Sequence, residues 1–335
     1  MIRTAILGAS GYVGGELLRL IAAHPELTAA KLFGDSKAGL PVGAVHPHLA
    51  PAYPDAVVEK FEEPALDGID LIFAALPHGH SQRLASTILG KGIPFVDLGA
   101  DFRLNDAATY EQWYGHAHEA PHLLGEFIYG IPELNREAIR SARAVAVAGC
   151  YATAAILALR PLVEAGLVER EGLIVDAASG VSGAGREAKE SNGFSTVDGS
   201  FAAYGLVNHR HTAEMEMATG ATVLFTPHLA PMTRGILATC YGVATGSGDP
   251  LAVLREAYAD EPFVHVTDQL PATKWLTGSN GAQLTARYDA RTGRVIALSA
   301  LDNLGKGAAG QMIQCANLML GRDESAGLTT IGVYP

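Results

Sequence analysis

The sequence predicts an α/β protein in two parts: a Rossmann-type doubly wound parallel sheet, then an α+β region with a mainly antiparallel sheet. Three observations predict it. Apolar strand-like runs alternate with helix-like segments as far as about residue 149, as in βαβ units. A glycine-rich loop sits between the first strand and the first helix. Beyond Gly172 strands follow one another with few helices between them, the habit of antiparallel sheets. A chain of 335 residues that is 48% hydrophobic has enough apolar side chains for two cores.

Taken in order, Arg3 to Leu7 reads as the first strand and Glu16 to Ala23 as the continuation of a helix. Between them lies Gly8-Ala9-Ser10-Gly11-Tyr12-Val13-Gly14-Gly15. In this context the loop is a dinucleotide site: Gly8 turns the chain, Gly11 admits the pyrophosphate, and Gly14 lets helix pack on strand. The next strand, Thr28 to Phe33, ends at Gly34-Asp35-Ser36-Lys37, where the adenosine ribose belongs. Asp35 suits the 2′-hydroxyl of NAD, whereas Ser36 and Lys37 suit the 2′-phosphate of NADP, and the residues alone leave both open. Ile69 to Leu76 and Pro94 to Leu98 are apolar enough to be parallel strands buried on both faces, with a helix from Gln82 to Leu89 between them. Arg103 follows the second of these strands, at the end where such sheets bind ligands, so it is a candidate anion ligand; pairing with Asp101 or Asp106 at the surface is the alternative. Asn105 to Gly130 reads as irregular. Its His116, His118 and His122, like His46 and His48 earlier, lack the cysteine or carboxylate company of a closed zinc site. They are expected to be solvated loop histidines, and no metal site is expected.

The apolar run Ala144 to Ala148 stops at Gly149, and a helix-compatible run covers Ala152 to Glu164. Cys150 therefore falls at a helix N-terminus, where free N–H groups and the helix dipole favour the thiolate. The alternative is a small buried apolar residue. Leu173 to Ala178 leads into a second glycine and serine loop, Ser179 to Arg186, and His209 and His211 follow in Asn208 to Glu214. Further strands are expected at Val223 to Ala230, Gly235 to Ala244, Ala282 to Tyr288 and Val295 to Leu301, and an amphipathic helix at Gly307 to Leu320, closed by Gly321. A nicotinamide cofactor, a cysteine at a helix start and a histidine pair fit one chemistry. The thiolate takes an acyl group, the thioester is reduced to an aldehyde, and His211 or His209 handles the protons.

Composition narrows the class. Three widely spaced cysteines fit a reducing compartment, and no run approaches the roughly 18–20 apolar residues of a membrane span. The N-terminus has no signal-peptide architecture, so a cytoplasmic location is expected. A net charge of −11 argues against nucleic acid and leaves a small molecule as the partner.

The motif Ala148-Gly149-Cys150-Tyr151-Ala152-Thr153 resembles the active-site cysteine motif of N-acetyl-gamma-glutamyl-phosphate reductases, relatives of aspartate-semialdehyde dehydrogenase. The resemblance runs through Gly8 to Gly14, Asp97 to Leu104, Tyr129 to Leu134, Ser179 to Gly185, His209 to His211, Thr226 to Gly235 and Asp302 to Gln311. The family motif carries proline where this chain has Ala148 and Ala152. The resemblance implies NADPH-dependent reduction of an acyl phosphate in arginine biosynthesis. Reduction of the one-carbon-longer acetyl-aminoadipyl phosphate, or a cofactor-sensing protein of the same fold, are its alternatives. It implies Cys150 as nucleophile, His211 as acid/base with His209 beside it, and Arg103 as ligand of the substrate phosphate. Ser182 and Gly183 would line the substrate site next to the nicotinamide, and Asn303 would meet the nicotinamide amide. Gly8, Ser10, Gly11, Tyr12, Val13 and Gly14 would hold the dinucleotide, with Ser36 and Lys37 on the 2′-phosphate. It further implies a cofactor domain over residues 1–149 rejoined by residues 304–335, a catalytic and dimerisation domain over residues 150–303, and a homotetramer or homodimer.

Overall fold

The computed structural model describes residues 1–335 and divides into two units. The first comprises Met1–Ala148 with Ala308–Leu328, the second Gly149–Gly307 with Thr329–Pro335. Gly149 and residues 304–307 and 329–335 thus group with the second unit, whereas the sequence reading expects residues 1–149 and 304–335 in the first.

In the first unit the chain runs β1 (Ile2–Leu7), α1 (Tyr12–Ala22), β2 (Leu27–Phe33), α2 (Val42–Val45), β3 (Leu71–Ala74), α3 (Ser81–Gly90) and β4 (Phe95–Asp97). It continues with α4 (Ala107–Tyr114), β5 (Phe127–Gly130), α5 (Pro132–Ser141) and β6 (Ala144–Val147). The six strands form one parallel sheet in the order β2-β1-β3-β4-β6-β5. Successive residues of a strand feed opposite cores. Ile6, Phe73, Val96 and Val145 join one, and Leu7, Ile72, Phe95 and Ala146 the other. That is why these strands read as unbroken apolar runs, each large side chain contributing about 1.5–3 kcal/mol by its burial. β1 has β2 on one side and β3 on the other, so the strand order reverses beside the Gly8 loop, the position where such sheets take ligands.

The stretch expected to be irregular contains α4 and β5. α4 has clear signals: the Asp106 carboxylate caps it by accepting the Thr109 N–H at 2.7 Å, and Gly115 ends it at φ 77°. Two of the histidines expected in solvent are buried. His46 lies 2.9 Å from the Ala9 carbonyl, and His118 lies 2.8 Å from the Asp101 carbonyl. They brace loops, as buried ring nitrogens need partners.

The second unit begins with α6 (Cys150–Glu164) and continues through β7 (Leu173–Gly180), α7 (Phe194–Val197), β8 (Ala202–Ala203), α8 (His211–Thr219), β9 (Val223–Ala230) and β10 (Ile236–Val243). α9 (Pro250–Ala257), β11 (Val264–Val266), β12 (Ala282–Asp289) and β13 (Arg294–Leu301) complete it. Its seven strands lie in the order β11-β12-β13-β10-β7-β9-β8. Four of the neighbouring pairs are antiparallel, while β7–β9 and β11–β12 are parallel, so the sheet is mixed. α6 packs against β10, β13 and α8. Its residues Tyr151 to Leu159 are all buried, so the helix that carries Cys150 is fixed along most of its length.

The last helix, α10 (Gly310–Met319), belongs to the first unit and is buried on every side rather than amphipathic. Met312, Ile313 and Ala316 enter the core, and the polar residues at three-residue spacing find partners. Gln314 Nε2 donates to Glu324 Oε1 at 2.7 Å and Asn317 Nδ2 to the Ala326 carbonyl at 3.0 Å. A helix can be buried all round when its polar groups are paired in this way. No helix is long and apolar enough to cross a membrane.

Candidate active site

Cys150 is the first residue of α6, half-buried, with Gly149 (φ −66°, ψ 150°) as the N-cap. No side chain caps this helix end, and no acidic residue stands in its first turn. The N–H groups and dipole there favour negative charge.

The Gly149 N–H is held by Glu214, whose buried carboxylate accepts it at 2.9 Å through Oε2. The other oxygen of Glu214 lies 3.8 Å from His211 Nε2. His211 opens α8, so Glu214 is one helical turn beyond it on the same face. The imidazole of His211 presses on Gly149: a β-carbon there would stand 2.2 Å from its Nε2. One carboxylate thus holds both the turn that carries Cys150 and the ring beside it.

His209 accepts the His211 N–H on Nδ1 at 3.2 Å, so its neutral ring carries the proton on Nε2. The two rings meet edge to face with centroids 4.7 Å apart. Tyr151 donates to the His228 carbonyl at 2.8 Å and accepts the Tyr204 hydroxyl at 3.2 Å. Burial, with the Tyr204 hydroxyl beside it, pushes Tyr151 well above the usual phenol range, and burial takes Tyr204 up to about 12. Both stay protonated through neutral pH.

These groups open on a cavity of about 560 Å³ lined by Cys150, Tyr151, Gly183, Tyr204, His209 and His211, among others. Ser182 and Asn303 are linked to each other: Asn303 Nδ2 donates to Ser182 Oγ at 2.9 Å, and its oxygen accepts the Gly235 N–H at 2.7 Å. Buried Asp302 fixes the following turn through the N–H groups of Leu304 (2.8 Å) and Gly305 (3.1 Å). That turn brings Gly307 so close to Cys150 that a β-carbon on it would lie 2.7 Å from the Cys150 Cβ.

The first unit holds the glycine loop. Gly8 has φ +85°, and a β-carbon on it would meet the Ala75 carbonyl oxygen at 2.3 Å. One on Gly14 would meet the Gly8 carbonyl oxygen at the same distance, whereas one on Gly11 meets nothing nearer than 3.4 Å. Gly11 is the N-cap of α1, with no side-chain cap and no acid in the first turn. A helix end of this kind, reached by a tight turn with glycine at both ends, fits the pyrophosphate of a dinucleotide. Asp35, Ser36 and Lys37 are exposed just past the carboxyl end of β2. Arg103 is buried, with its guanidinium donating to the Leu98 carbonyl at 2.6 Å, and is not the surface residue of the alternative reading.

Residues 3–142 match the family described as semialdehyde dehydrogenase, NAD binding domain, and residues 150–303 match semialdehyde dehydrogenase, dimerisation domain. Full-length relatives are more specific. The chain is 46% identical to an N-acetyl-gamma-glutamyl-phosphate reductase of Heliobacterium modesticaldum, with 100% of both chains covered. It is 49% identical to proteins of that name from Symbiobacterium thermophilum and Streptomyces coelicolor, over 100% of this chain and 99% of each relative. The chain belongs to the N-acetyl-gamma-glutamyl-phosphate reductase family. Among solved structures it shares its fold with an aspartate semialdehyde dehydrogenase II of Vibrio cholerae (TM-score 0.72, 16% identity, covering 96% of this chain and 98% of that one). The Candida albicans enzyme solved with NADP gives a TM-score of 0.71 at 15% identity, over 96% and 98% of the two chains.

Against this family background, the residues brought to one cavity are Cys150, His209, His211 and Gly183, with Ser182 and Asn303 linked to each other by a hydrogen bond. Gly8 to Gly14, Ser36, Lys37 and Arg103 lie in the other unit. Sequence reading gave no role to Glu214, although its spacing of three from His211 on a helix was a usable signal. Tyr204 and Gly307 left no such signal, because their part depends on chain folded back from elsewhere.

Proposed function

We propose that this chain catalyses NADPH-dependent reduction of N-acetyl-gamma-glutamyl phosphate to N-acetyl-glutamate 5-semialdehyde and phosphate, a step of arginine biosynthesis in the cytoplasm. The observation that carries the reading is the Cys150–His211–Glu214 arrangement at the start of α6. Cys150 Sγ attacks the acyl carbon, a C–S bond forms, and the C–O bond to phosphate breaks with the electron pair leaving on phosphate. Arg103 serves the phosphate. The nicotinamide, when bound, supplies the electrons and hydrogen that lower the acyl group to the aldehyde level. His211 donates a proton to the substrate oxygen as the thioester is reduced and takes it back as the C–S bond breaks, returning the Cys150 thiolate. Glu214 keeps the ring in place and stabilises its protonated form.

Gly8, Ser10, Gly11, Tyr12, Val13 and Gly14 hold the dinucleotide, Ser36 and Lys37 its 2′-phosphate, and Asn303 with Ser182 and Gly183 its nicotinamide end and the substrate. Support for NADP comes from the exposed Lys37 and from the Candida albicans neighbour solved with it. The residue 150–303 match to a dimerisation domain supports a homodimer or homotetramer. The test is the reverse reaction, with aldehyde, phosphate and NADP. Activity with the acetyl-glutamate aldehyde and little with the one-carbon-longer homologue supports the reading; the opposite preference replaces the substrate, and no phosphate-dependent activity with either removes it.

A further inference from the structure

We propose that Asp101 is a positioning residue that fixes the turn presenting Arg103, and through it the affinity for the substrate phosphate. The inference rests on the reading of Arg103 as the phosphate ligand.

Arg103 follows a single short turn, Ala100–Phe102, at the carboxyl end of β4. The Arg103 guanidinium is held by the Leu98 carbonyl at 2.6 Å, and where the turn that carries it stands depends on what grips the turn. Asp101 is completely buried and supplies the grip. Its Oδ1 accepts the Gly79 N–H at 2.8 Å and lies 2.8 Å from His78 Nδ1, and its Oδ2 accepts the Gln82 N–H at 3.2 Å. These donors belong to the loop after β3 and the start of α3, so one carboxylate ties two ligand-side loops of the sheet together.

The chain beyond is tied to the same point. His118 bonds the Asp101 carbonyl with Nε2 and accepts the Ala120 N–H on Nδ1 at 2.9 Å. Gln82 accepts the Glu119 N–H at 2.8 Å, and Tyr114 donates to the Ala100 carbonyl at 3.3 Å. Burial alone would favour a neutral acid at Asp101. The contacts with His78, Gly79 and Gln82 outweigh it and hold the carboxyl below its ordinary range. An ionised carboxylate with three donors is a rigid anchor. An amide is not, because its nitrogen would face one of these N–H groups.

The test is steady-state kinetics of the reverse reaction in Asp101→Asn, Arg103→Gln and His78→Gln, with melting temperatures alongside. Asp101→Asn should raise KM for phosphate about tenfold or more, leave KM for aldehyde and NADP within about twofold, and lower kcat by less than the phosphate KM rises. Arg103→Gln should show the same pattern more strongly. If Arg103→Gln raises the phosphate KM and Asp101→Asn does not, the inference fails and the phosphate reading stands. If Arg103→Gln leaves the phosphate KM unchanged, the phosphate reading fails and the inference with it. Should Asp101→Asn not fold, His78→Gln carries the test. A selective rise of about threefold in phosphate KM supports the anchor, and an equal loss across all substrates overturns it.

Discussion

Two helix starts in this chain are built almost alike and stand in opposite surroundings. α1 and α6 both begin at a glycine N-cap, both lack a side-chain cap, and neither has an acid in the first turn. At α1 the glycines that forbid a side chain are blocked by backbone atoms, Gly8 by Ala75 and Gly14 by Gly8 and Ala9, and the N-cap Gly11 is left open. At α6 the N-cap Gly149 is blocked by the His211 ring, and its N–H is already taken by Glu214. On the proposed function, the first start receives an anion from outside and the second carries one of its own on Cys150. The N-cap N–H groups differ in partner, that of Gly11 donating to the Gly8 carbonyl at 3.0 Å and that of Gly149 to the Glu214 carboxylate at 2.9 Å, and each prediction below presses on these surroundings.

The largest effect is expected at Cys150, the proposed nucleophile. Cys150→Ala should lower turnover by about 10⁴-fold or more, while NADPH titrated against protein fluorescence still binds with near-normal affinity. Loss of cofactor binding in that variant would mean that the two starts are not separable. Alkylation offers a second view. Cys240 and Cys315 are completely buried, and burial pushes the Cys240 thiol far up, so iodoacetamide should label Cys150 well before either.

Next come the groups that crowd the N-cap of α6. His211→Asn should cost about 10²–10⁴-fold in kcat, the usual range for a positioned acid/base, and His209→Asn less. Gly149→Ala should approach the His211 variant in kcat, because the new methyl cannot coexist with the ring where it stands. A fully active Gly149→Ala enzyme would show that the contact between ring and turn is dispensable.

At α1 the same substitution should separate by position. Gly14→Ala forces a methyl into the Gly8 carbonyl oxygen, so it should destabilise the protein by about 1–3 kcal/mol as well as weaken NADPH. Gly11→Ala has room in the protein alone and should leave the melting temperature nearly unchanged, yet cost about tenfold in NADPH affinity. Equal melting losses in the two variants would contradict the open N-cap.

How much of this was legible beforehand follows from the range of the interactions. The glycine loop could be read because its turn, its N-cap and the strand before it are contiguous in sequence. Cys150 could be placed at a helix start for the same reason, although α6 begins two residues earlier than the run from Ala152 suggested. Glu214 was passed over because its partner Gly149 is 65 residues away, and an acid in a helix reads as solvated until a structure shows it buried. The burial of α10 was hidden similarly. Gly307 to Leu320 reads as amphipathic, and only the fold brings His24, Glu133, Glu324 and Ala326 to Gln314 and Asn317 on its polar side. α4 was lost for a different reason: its cap signals were present at Asp106 and Gly115, but its histidine-rich surroundings drew the reading towards a loop.

The smallest expected effect concerns what the anion at α1 carries at its far end. Asp35, Ser36 and Lys37 stand exposed past β2, where the ribose of a dinucleotide on the Gly8 loop would lie. Asp35 would repel a 2′-phosphate, and Lys37 would attract it. Unit charges about 4 Å apart interact by only about 1 kcal/mol in bulk water, and by about 4 kcal/mol near a protein surface at an effective dielectric constant of about 20. Exposure favours the lower part of that range. Lys37→Ala should therefore weaken NADPH by about tenfold and leave NADH nearly untouched, and the loss should shrink as salt is raised. Asp35→Ser should move the preference further towards NADPH by a few-fold. Affinities of both cofactors for the two variants, measured at low and high ionic strength, decide the point. If removing Lys37 costs NADPH and NADH equally, the lysine does not read the phosphate, and Asp35 on the ribose hydroxyls of NAD becomes the better account of this corner.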